Sequence, residues 1–179
     1  NLAAGTANYL VLDANGCSNT ITSTIGQPTD FTITTSQTNL ICFGDTNATA
    51  TLNVSGATPT YTYLWDDPSA QTTNPATGLA AGIYNCITTD LIGCLTTNSI
   101  IITEPNPIII NIWQNGNTIQ ATTGFVSYQW YDGVGNAING ATNDTFTPAV
   151  QGEYEVEVTD TNGCIATSYR ILVIIDLVN

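Results

Sequence analysis

The sequence predicts an all-β fold made of β-sandwich domains in tandem, the first of them partial. The main observation is a frame that occurs three times, at Gly5–Cys17, Gly82–Cys94 and Gly152–Cys164. In every copy an Asp follows the Gly by 8 residues and the Cys follows it by 12 (5 to 13 and 17, 82 to 90 and 94, 152 to 160 and 164). A spacing that recurs without gaps indicates an array of one supersecondary unit.

The third copy shows what that unit is. Tyr154, Val156 and Val158 alternate with three glutamates, and a period of two predicts a strand with one buried face. The segment Asp160–Gly163 reads DTNG, which favours a tight turn because Asp bonds its own backbone and Asn-Gly accepts positive φ. The chain then returns over 165–175. Each copy is therefore predicted to be a β-hairpin, which needs further strands for stability.

Three domains follow from this spacing. We predict a partial domain over residues 1–28, which is the closing hairpin of a repeat, a complete domain over 29–105, and a third domain over 106–179. Gln27-Pro28 and Glu104-Pro105 end the first two. Many short predicted strands separated by Gly or Pro indicate β-sandwiches. The strands are expected near residues 31–35, 48–55, 60–65, 83–89, 97–103, 108–113, 118–121, 127–131, 145–147, 154–159 and 165–175.

Aromatic residues make the expected sandwiches immunoglobulin-like. Tyr84 and Tyr154 stand at the entrance to the penultimate strand of their domains, which is the position of a tyrosine corner. Trp65 and Trp130 each follow a Tyr by two residues, upstream of that strand, where a core Trp is expected. The first copy has Ala7 in place of the Tyr.

Composition limits the possible functions. The net charge is −13 and charged residues make up 8% of the chain, against about 25% in ordinary domains. Such a chain cannot neutralise a phosphate backbone, so we expect no nucleic-acid partner. No apolar run reaches 18 residues, so we expect no membrane insertion. Because residue 1 opens inside a repeat, we expect the chain to be part of a longer or processed protein.

Catalysis and cofactors are not expected either. The chain contains no His and no Lys, which removes Ser-His pairs, Cys-His pairs and Schiff-base chemistry. The turn residues Asp13, Asp90 and Asp160 suggest calcium, but none sits in a spaced acidic loop ending in Glu, and turn chemistry explains them. We therefore predict no enzyme activity, no cofactor and no metal site.

The middle segments resemble a known family. Ile41-Cys-Phe-Gly44, Ala48–Gly56 (ATATLNVSG), Thr58–Trp65 (TPTYTYLW), Gly78–Gly82 (GLAAG) and Gly93-Cys94 resemble the SprB-type repeat of Bacteroidetes surface adhesins. Residues 1–28 look like the last third of another such repeat, and residues 106–175 resemble the immunoglobulin or PKD-like domain of proteins exported by type IX secretion. The resemblance implies a large, secreted, repetitive protein of the cell surface.

The five cysteines, with no His and no CxxC pair, favour disulfides in an oxidising compartment. The repeat frame suggests a bond between Cys42 and Cys94, whose loop of about 50 residues would contribute on the order of 4 kcal/mol. The alternative is Cys42 with Cys86, because Tyr84-Asn-Cys86 mimics the immunoglobulin pattern. Cys17 and Cys164 are expected to be free or buried thiols, or else to bridge subunits or domains.

The predicted function is that of a non-enzymatic, extracellular structural or adhesive repeat protein of a bacterial cell surface, able to form a filament or fibre. Its expected partners are neighbouring copies or adjacent repeats. The alternative is a carbohydrate-binding module array of a secreted hydrolase, in which Trp113 would contact a surface glycan. Because the segment 108–113 is almost continuously apolar, core burial is the preferred expectation for Trp113.

Overall fold

The computed structural model describes residues 3–175 and confirms the all-β class. Within these residues there is no helix, and none therefore that could cross a membrane. The strands are β1 (Gly5–Leu12), β2 (Ser18–Ile25), β3 (Phe31–Thr38), β4 (Ala48–Gly56), β5 (Thr62–Trp65), β6 (Ala76–Leu79), β7 (Gly82–Thr89), β8 (Leu95–Ile102), β9 (Ile112–Asn115), β10 (Thr118–Ala121), β11 (Ser127–Asp132), β12 (Thr145–Phe146), β13 (Gly152–Thr159), β14 (Ile165–Thr167) and β15 (Ile171–Val173).

These strands form five small sheets. β1 and β2 pair only with each other among the described residues, as a two-stranded antiparallel hairpin. Two three-stranded sheets follow, in the orders β3-β4-β6 and β5-β7-β8. A further three-stranded sheet has the order β12-β10-β9, and the last sheet has the order β11-β13-β14 with β15 also on β13. This pattern of several small antiparallel sheets is consistent with immunoglobulin-like sandwiches of which the first is partial, as predicted.

Contacts divide the chain into two compact units. The first comprises the residues up to Gln37, Thr49–Thr77 and Ile83–Ile101, and the second comprises Thr38–Ala48, Gly78–Gly82 and the residues from Ile102 onward. The division places the loop between β3 and β4 in the second unit. The boundaries predicted after residues 28 and 105 remain predictions.

The second unit has a core centred on Trp130. This side chain is fully buried and packs with Val156 and Val158 of β13, the residues that alternate with glutamates in the sequence. Its indole N–H donates to the Asn143 carbonyl at 2.9 Å. The Tyr154 hydroxyl donates to the Val150 carbonyl at 2.7 Å, four residues upstream, which is the predicted tyrosine corner.

The first unit also has a buried Trp with a bonded indole, Trp65. The side chain is buried, lies opposite Cys86 in the register of β5 and β7, and donates its indole N–H to the Thr73 carbonyl at 2.9 Å. Gly56 ends β4 at φ 79°, and a Cβ there would collide with the Asp30 carbonyl oxygen. This close approach explains why Gly ends the ATATLNVSG motif.

The structure differs from the predicted strands in three places. The strand β6 was not predicted, and the strand expected over 108–113 begins only at Ile112. The return strand expected over 165–175 is split into β14 and β15, because one extra residue lies between the pairs Glu157–Thr167 and Tyr154–Ile171. The Ser168 hydroxyl accepts the Val156 N–H at this β-bulge.

Candidate functional site

The disulfide of the chain joins Cys42 to Cys164, with the two Cα atoms 5.5 Å apart. The predicted bond from Cys42 to Cys94 is therefore wrong, and so is the alternative with Cys86. Cys94 is an exposed thiol, Cys86 is a buried one, and Cys17 is exposed on the hairpin. For Cys164 the expectation of a free or buried thiol is wrong, and the alternative of an interdomain bridge is what the structure has, because the bond crosses the predicted boundary between the second and third domains.

Hydrogen bonds on both sides of Cys42 explain why it is directed to Cys164. The Leu40 N–H donates to the Thr103 carbonyl at 2.9 Å, and the Thr103 N–H donates to Asn39 Oδ1 at 3.0 Å. The Gly44 N–H donates to Glu104 Oε2 at 2.7 Å. These bonds hold the Cys42 loop against the linker that leads into the third predicted domain. The loop consequently meets the turn of that domain rather than the turn that ends at Cys94.

A cavity of about 190 Å³ lies beside the disulfide, entirely within the second unit. Its lining combines Cys42 and Phe43 of the loop, the linker that follows Glu104, and the turn from Asp160 to Cys164. The linker residues are Pro105, Asn106, Pro107 and Ile108. The Cys42 loop is thus docked on a surface formed by a linker and the hairpin turn that belongs to it.

The three turn aspartates share one hydrogen-bond geometry, which occupies the carboxylate oxygen Oδ1 that a metal ion would need. In each copy Oδ1 of the Asp accepts two backbone N–H groups, from the residues two and four positions later, at 2.8 to 3.1 Å. The Cys that ends the frame is the second of these donors. Within residues 3–175 no three acidic, Cys or His side chains cluster as a metal site would require.

Asp90 is the most enclosed of these carboxylates. Burial acts to raise its pKa, but hydrogen bonds from the backbone N–H groups of Cys94, Thr58 and Ile92 outweigh this effect, and the pKa is lowered from the ordinary value of 3.8. The carboxylate is thus held in its charged form by the turn itself.

The sulfur of Cys86 has the opposite environment. The side chain is fully buried in the first unit, and burial raises the pKa of the thiol. A buried, protonated thiol is a poor nucleophile. Cys86 therefore acts as a small core residue at the position where an immunoglobulin domain carries its core cysteine.

The hairpin of β1 and β2 exposes a face that the other two copies bury. Tyr9 lies opposite Ile21 in the register, and their exposed fractions are 44% and 53%. In the same frame Tyr9 corresponds to Cys86 and Val156, which are both fully buried. The apolar face of this hairpin, which also carries Ala7, Val11 and Ile25, is therefore a core face without a second layer among the described residues.

Trp113 is not buried, so the preferred expectation for this residue was wrong. It lies on β9 with 45% of its surface exposed, and its indole N–H donates to Gln120 Oε1 of the neighbouring β10 at 2.9 Å. The apolar run around it is not one continuous buried strand, because the strand begins only at Ile112 and the side chains alternate from there.

Comparison with known proteins supports the resemblance. The family model of the SprB repeat matches residues 34–70, which confirms the SprB-type resemblance predicted from the motifs. That segment runs from β3 through the Cys42 loop and past Trp65. SprB repeats are repeats of surface-exposed, adhesin-type proteins, and the family is structural and not enzymatic.

Solved structures with partial similarity include the 47-kilodalton lipoprotein Tp47 of Treponema pallidum, at 11% identity and a TM-score of 0.31 over 92% of this chain. A structure of Dscam matches at 12% identity and a TM-score of 0.28 over 86% of the chain. The chain spans 56% and 50% of the lengths of these two proteins. At such low scores neither carries a functional argument. No curated protein sequence matches the chain.

Proposed function

We propose that this chain is a non-enzymatic structural and adhesive repeat segment that works outside the cell, on a bacterial surface. The observation that carries the proposal is the match of residues 34–70 to the SprB repeat, in a chain whose described residues are all-β. The composition agrees with this role. A net charge of −13 with one cation in 179 residues keeps the surface soluble and leaves a single site for trypsin-like proteases.

Its partners are adjacent repeats or neighbouring copies of the chain, and the result is a filament or fibre. Two features of the β1–β2 hairpin support this step. Its apolar face is uncovered, and each strand has an edge that no other described strand pairs. An exposed sheet edge beside an apolar face recruits strands from another sheet. When the contact is between different surfaces of identical subunits, it propagates as a chain of molecules.

Sedimentation and hydrogen exchange test this step together. We expect the protein to associate as its concentration rises, with slower amide exchange in β1 and β2 in the associated form. Replacing Val11 and Ile21 by Thr on the apolar face should abolish association. The matched control is Leu10→Thr on the opposite face of the same strand, which should leave it intact. A monodisperse monomer whose hairpin amides are already protected would contradict assembly through this face.

A second candidate function, glycan binding, is favoured by Trp113. An aromatic ring that is half exposed, with an amide side chain fixed beside it, is a surface on which a sugar can stack. We expect a glycan array to show binding that Trp113→Ala removes and that Tyr169→Ala retains. Tyr169 is the matched control because it is exposed but lies outside β9. Equal binding by the two variants, or none by the wild type, would exclude a role of Trp113.

A further inference from the structure

The hairpin turn that ends in Cys occurs three times, but only Cys164 has a disulfide partner in the chain. The three turns are the same in geometry. The Asp N–H donates to the Cys carbonyl at 2.9 to 3.0 Å, and the Cys N–H donates back to the Asp carboxylate at 2.8 to 2.9 Å. Each turn therefore presents its Cys in the same way, and the three copies differ in the surface that surrounds the Cys.

The surface beside Cys94 corresponds to the one on which the Cys42 loop is docked. A cavity of about 280 Å³ lies there, entirely within the first unit. Its lining again combines a linker with the turn that belongs to it. The linker Gln27–Phe31 stands 77 positions before 104–108, and the turn Asp90–Cys94 stands 70 positions before Asp160–Cys164. The corresponding lining residues are Pro28 and Pro105, Thr29 and Asn106, Asp30 and Pro107, Phe31 and Ile108, Asp90 and Asp160, and Cys94 and Cys164.

The two cavities differ in one respect. The cavity at Cys164 includes Cys42 and Phe43, which belong to a loop of the preceding predicted domain. The cavity at Cys94 has no residue of such a loop in its lining, it is the larger of the two, and its thiol is exposed. The cavity at Cys94 thus offers a surface equivalent to the one at Cys164, with Phe31 and Ile92 as its apolar part. Among residues 3–175, no loop like the Cys42 loop occupies it.

We propose that the cavity at Cys94 binds an Ile-Cys-Phe-Gly loop of an adjacent repeat of the same kind, and that Cys94 forms a disulfide with the cysteine of that loop. Each repeat is then covalently joined to the turn of the next one, as Cys42 is joined to Cys164. Phe43, which lines the cavity at Cys164 with 55% of its surface exposed, and its equivalents supply part of the apolar contact, and the disulfide fixes the loop in place. This joining rests on the proposed repeat architecture, but it does not depend on whether the surface protein is adhesive.

The chemistry needs an oxidant, and a small disulfide such as oxidised glutathione is sufficient. The Cys94 thiolate attacks one sulfur of the oxidant and releases one glutathione thiolate. The loop cysteine, as thiolate, then attacks the Cys94 sulfur of the mixed disulfide and releases the second. Two protein thiols lose two protons and two electrons, one S–S bond forms, and the oxidant becomes two glutathione thiols.

Cys17 provides an internal control for Cys94. It ends the same turn and is equally an exposed thiol. The linker that would complete its cavity, however, corresponds to positions outside residues 1–179, since 27 minus 77 is below 1. Among the described residues Cys17 therefore has the turn but no corresponding linker. If the loop reacts faster with Cys94 than with Cys17, the difference in rate measures what the cavity adds beyond the exposure of the thiol.

The test uses the full chain and a synthetic peptide with the sequence of residues 39–46, Asn-Leu-Ile-Cys-Phe-Gly-Asp-Thr. Its Cys is activated as a mixed disulfide with thionitrobenzoate, so that attack by a protein thiol releases a coloured anion. A matched peptide has Ser in place of Ile and Phe. The rates are measured on the wild type, Cys94→Ser, Cys17→Ser and Thr29→Trp, in which an indole fills the cavity. Peptic mapping identifies the modified cysteine and checks that Cys42 and Cys164 stay bonded.

We expect Cys94 to react with the loop peptide at least about ten times as fast as with the matched peptide. The reason is that prior binding raises the effective concentration of the peptide. Cys17 should show no such preference. Thr29→Trp should remove the preference at Cys94 while leaving its rate with a small activated disulfide unchanged. Equal rates for the two peptides at Cys94, an equal preference at Cys17, or no reaction at Cys94 would each overturn the proposal.

Discussion

Removal of the Cys42–Cys164 disulfide gives the sharpest prediction about stability. The two residues are 122 positions apart, so the bond closes a long loop in the unfolded chain. In the chain-entropy relation a loop of this length corresponds to about 5 kcal/mol at 25 °C. This is more than the shorter Cys42–Cys94 loop would have given. A bond worth this much is comparable with the whole stability of a small domain.

The double variant Cys42→Ser/Cys164→Ser tests that magnitude without leaving an unpaired thiol. Hydrogen exchange of the β13 amides reports the stability of the second unit, because β13 lies at its core between β11 and β14. We expect the free energy of exchange to fall by about 3 to 5 kcal/mol, or to the fully unfolded rate. The control Cys17→Ser/Cys94→Ser removes two exposed thiols and should change it by less than about 0.5 kcal/mol. An equally small change in the double variant would refute the entropic argument.

Three further predictions concern single side chains. Tyr154→Phe removes the hydroxyl that bonds the Val150 carbonyl and should lower the unfolding free energy by about 1 kcal/mol in urea, whereas Tyr169→Phe, at 88% exposed, should have no effect. The pKa of Asp90 is lowered in the folded state, so the stability it contributes is present above pH 3.8 and is lost as the pH falls through the folded pKa. Asp90→Asn should therefore make thermal stability less sensitive to acid below that pH, and an unchanged profile would contradict this. Trypsin should cut after Arg170 alone, as mass spectrometry of the fragments would show, since no other cation is present.

The parts of the fold that were predictable are those with local causes. Alternating side chains set the buried face of β13, and Asp with Asn-Gly sets the turn after it. Tyr154 and Trp130 were recognisable from their spacing around the penultimate strand, and the hydrogen bonds that hold them reach only 4 and 13 residues along the chain. The motifs also predicted a resemblance to the SprB repeat, which the match to residues 34–70 confirms.

The cysteine pairing was not predictable in this way, because it depends on contacts between distant segments. The frame gave Cys42 a plausible partner in its own predicted domain at Cys94. The bonds of Leu40 to Thr103 and of Gly44 to Glu104 redirect the loop, and they join residues 60 or more positions apart. One signal in the sequence pointed the same way. The third predicted domain contains a single Cys, so Cys164 can bond only outside that domain.

Trp113 was misjudged for a different physical reason. A continuous run of apolar residues predicts burial of all its side chains when it forms one strand covered on both faces, and here the residues before Ile112 lie outside the strand. Pro105 and Pro107 sit at the start of this run, and proline lacks the N–H that a sheet requires. From Ile112 onward the side chains alternate, and Trp113 falls on the exposed face.

Labelling of intact native cells with an antibody against this chain, viewed by electron microscopy, shows whether the protein works on the cell surface. We expect label on the outer surface of unpermeabilised cells, arranged along extended fibres, and loss of the label after mild surface proteolysis with an enzyme other than trypsin. Label that appears only after the cells are permeabilised would contradict this expectation.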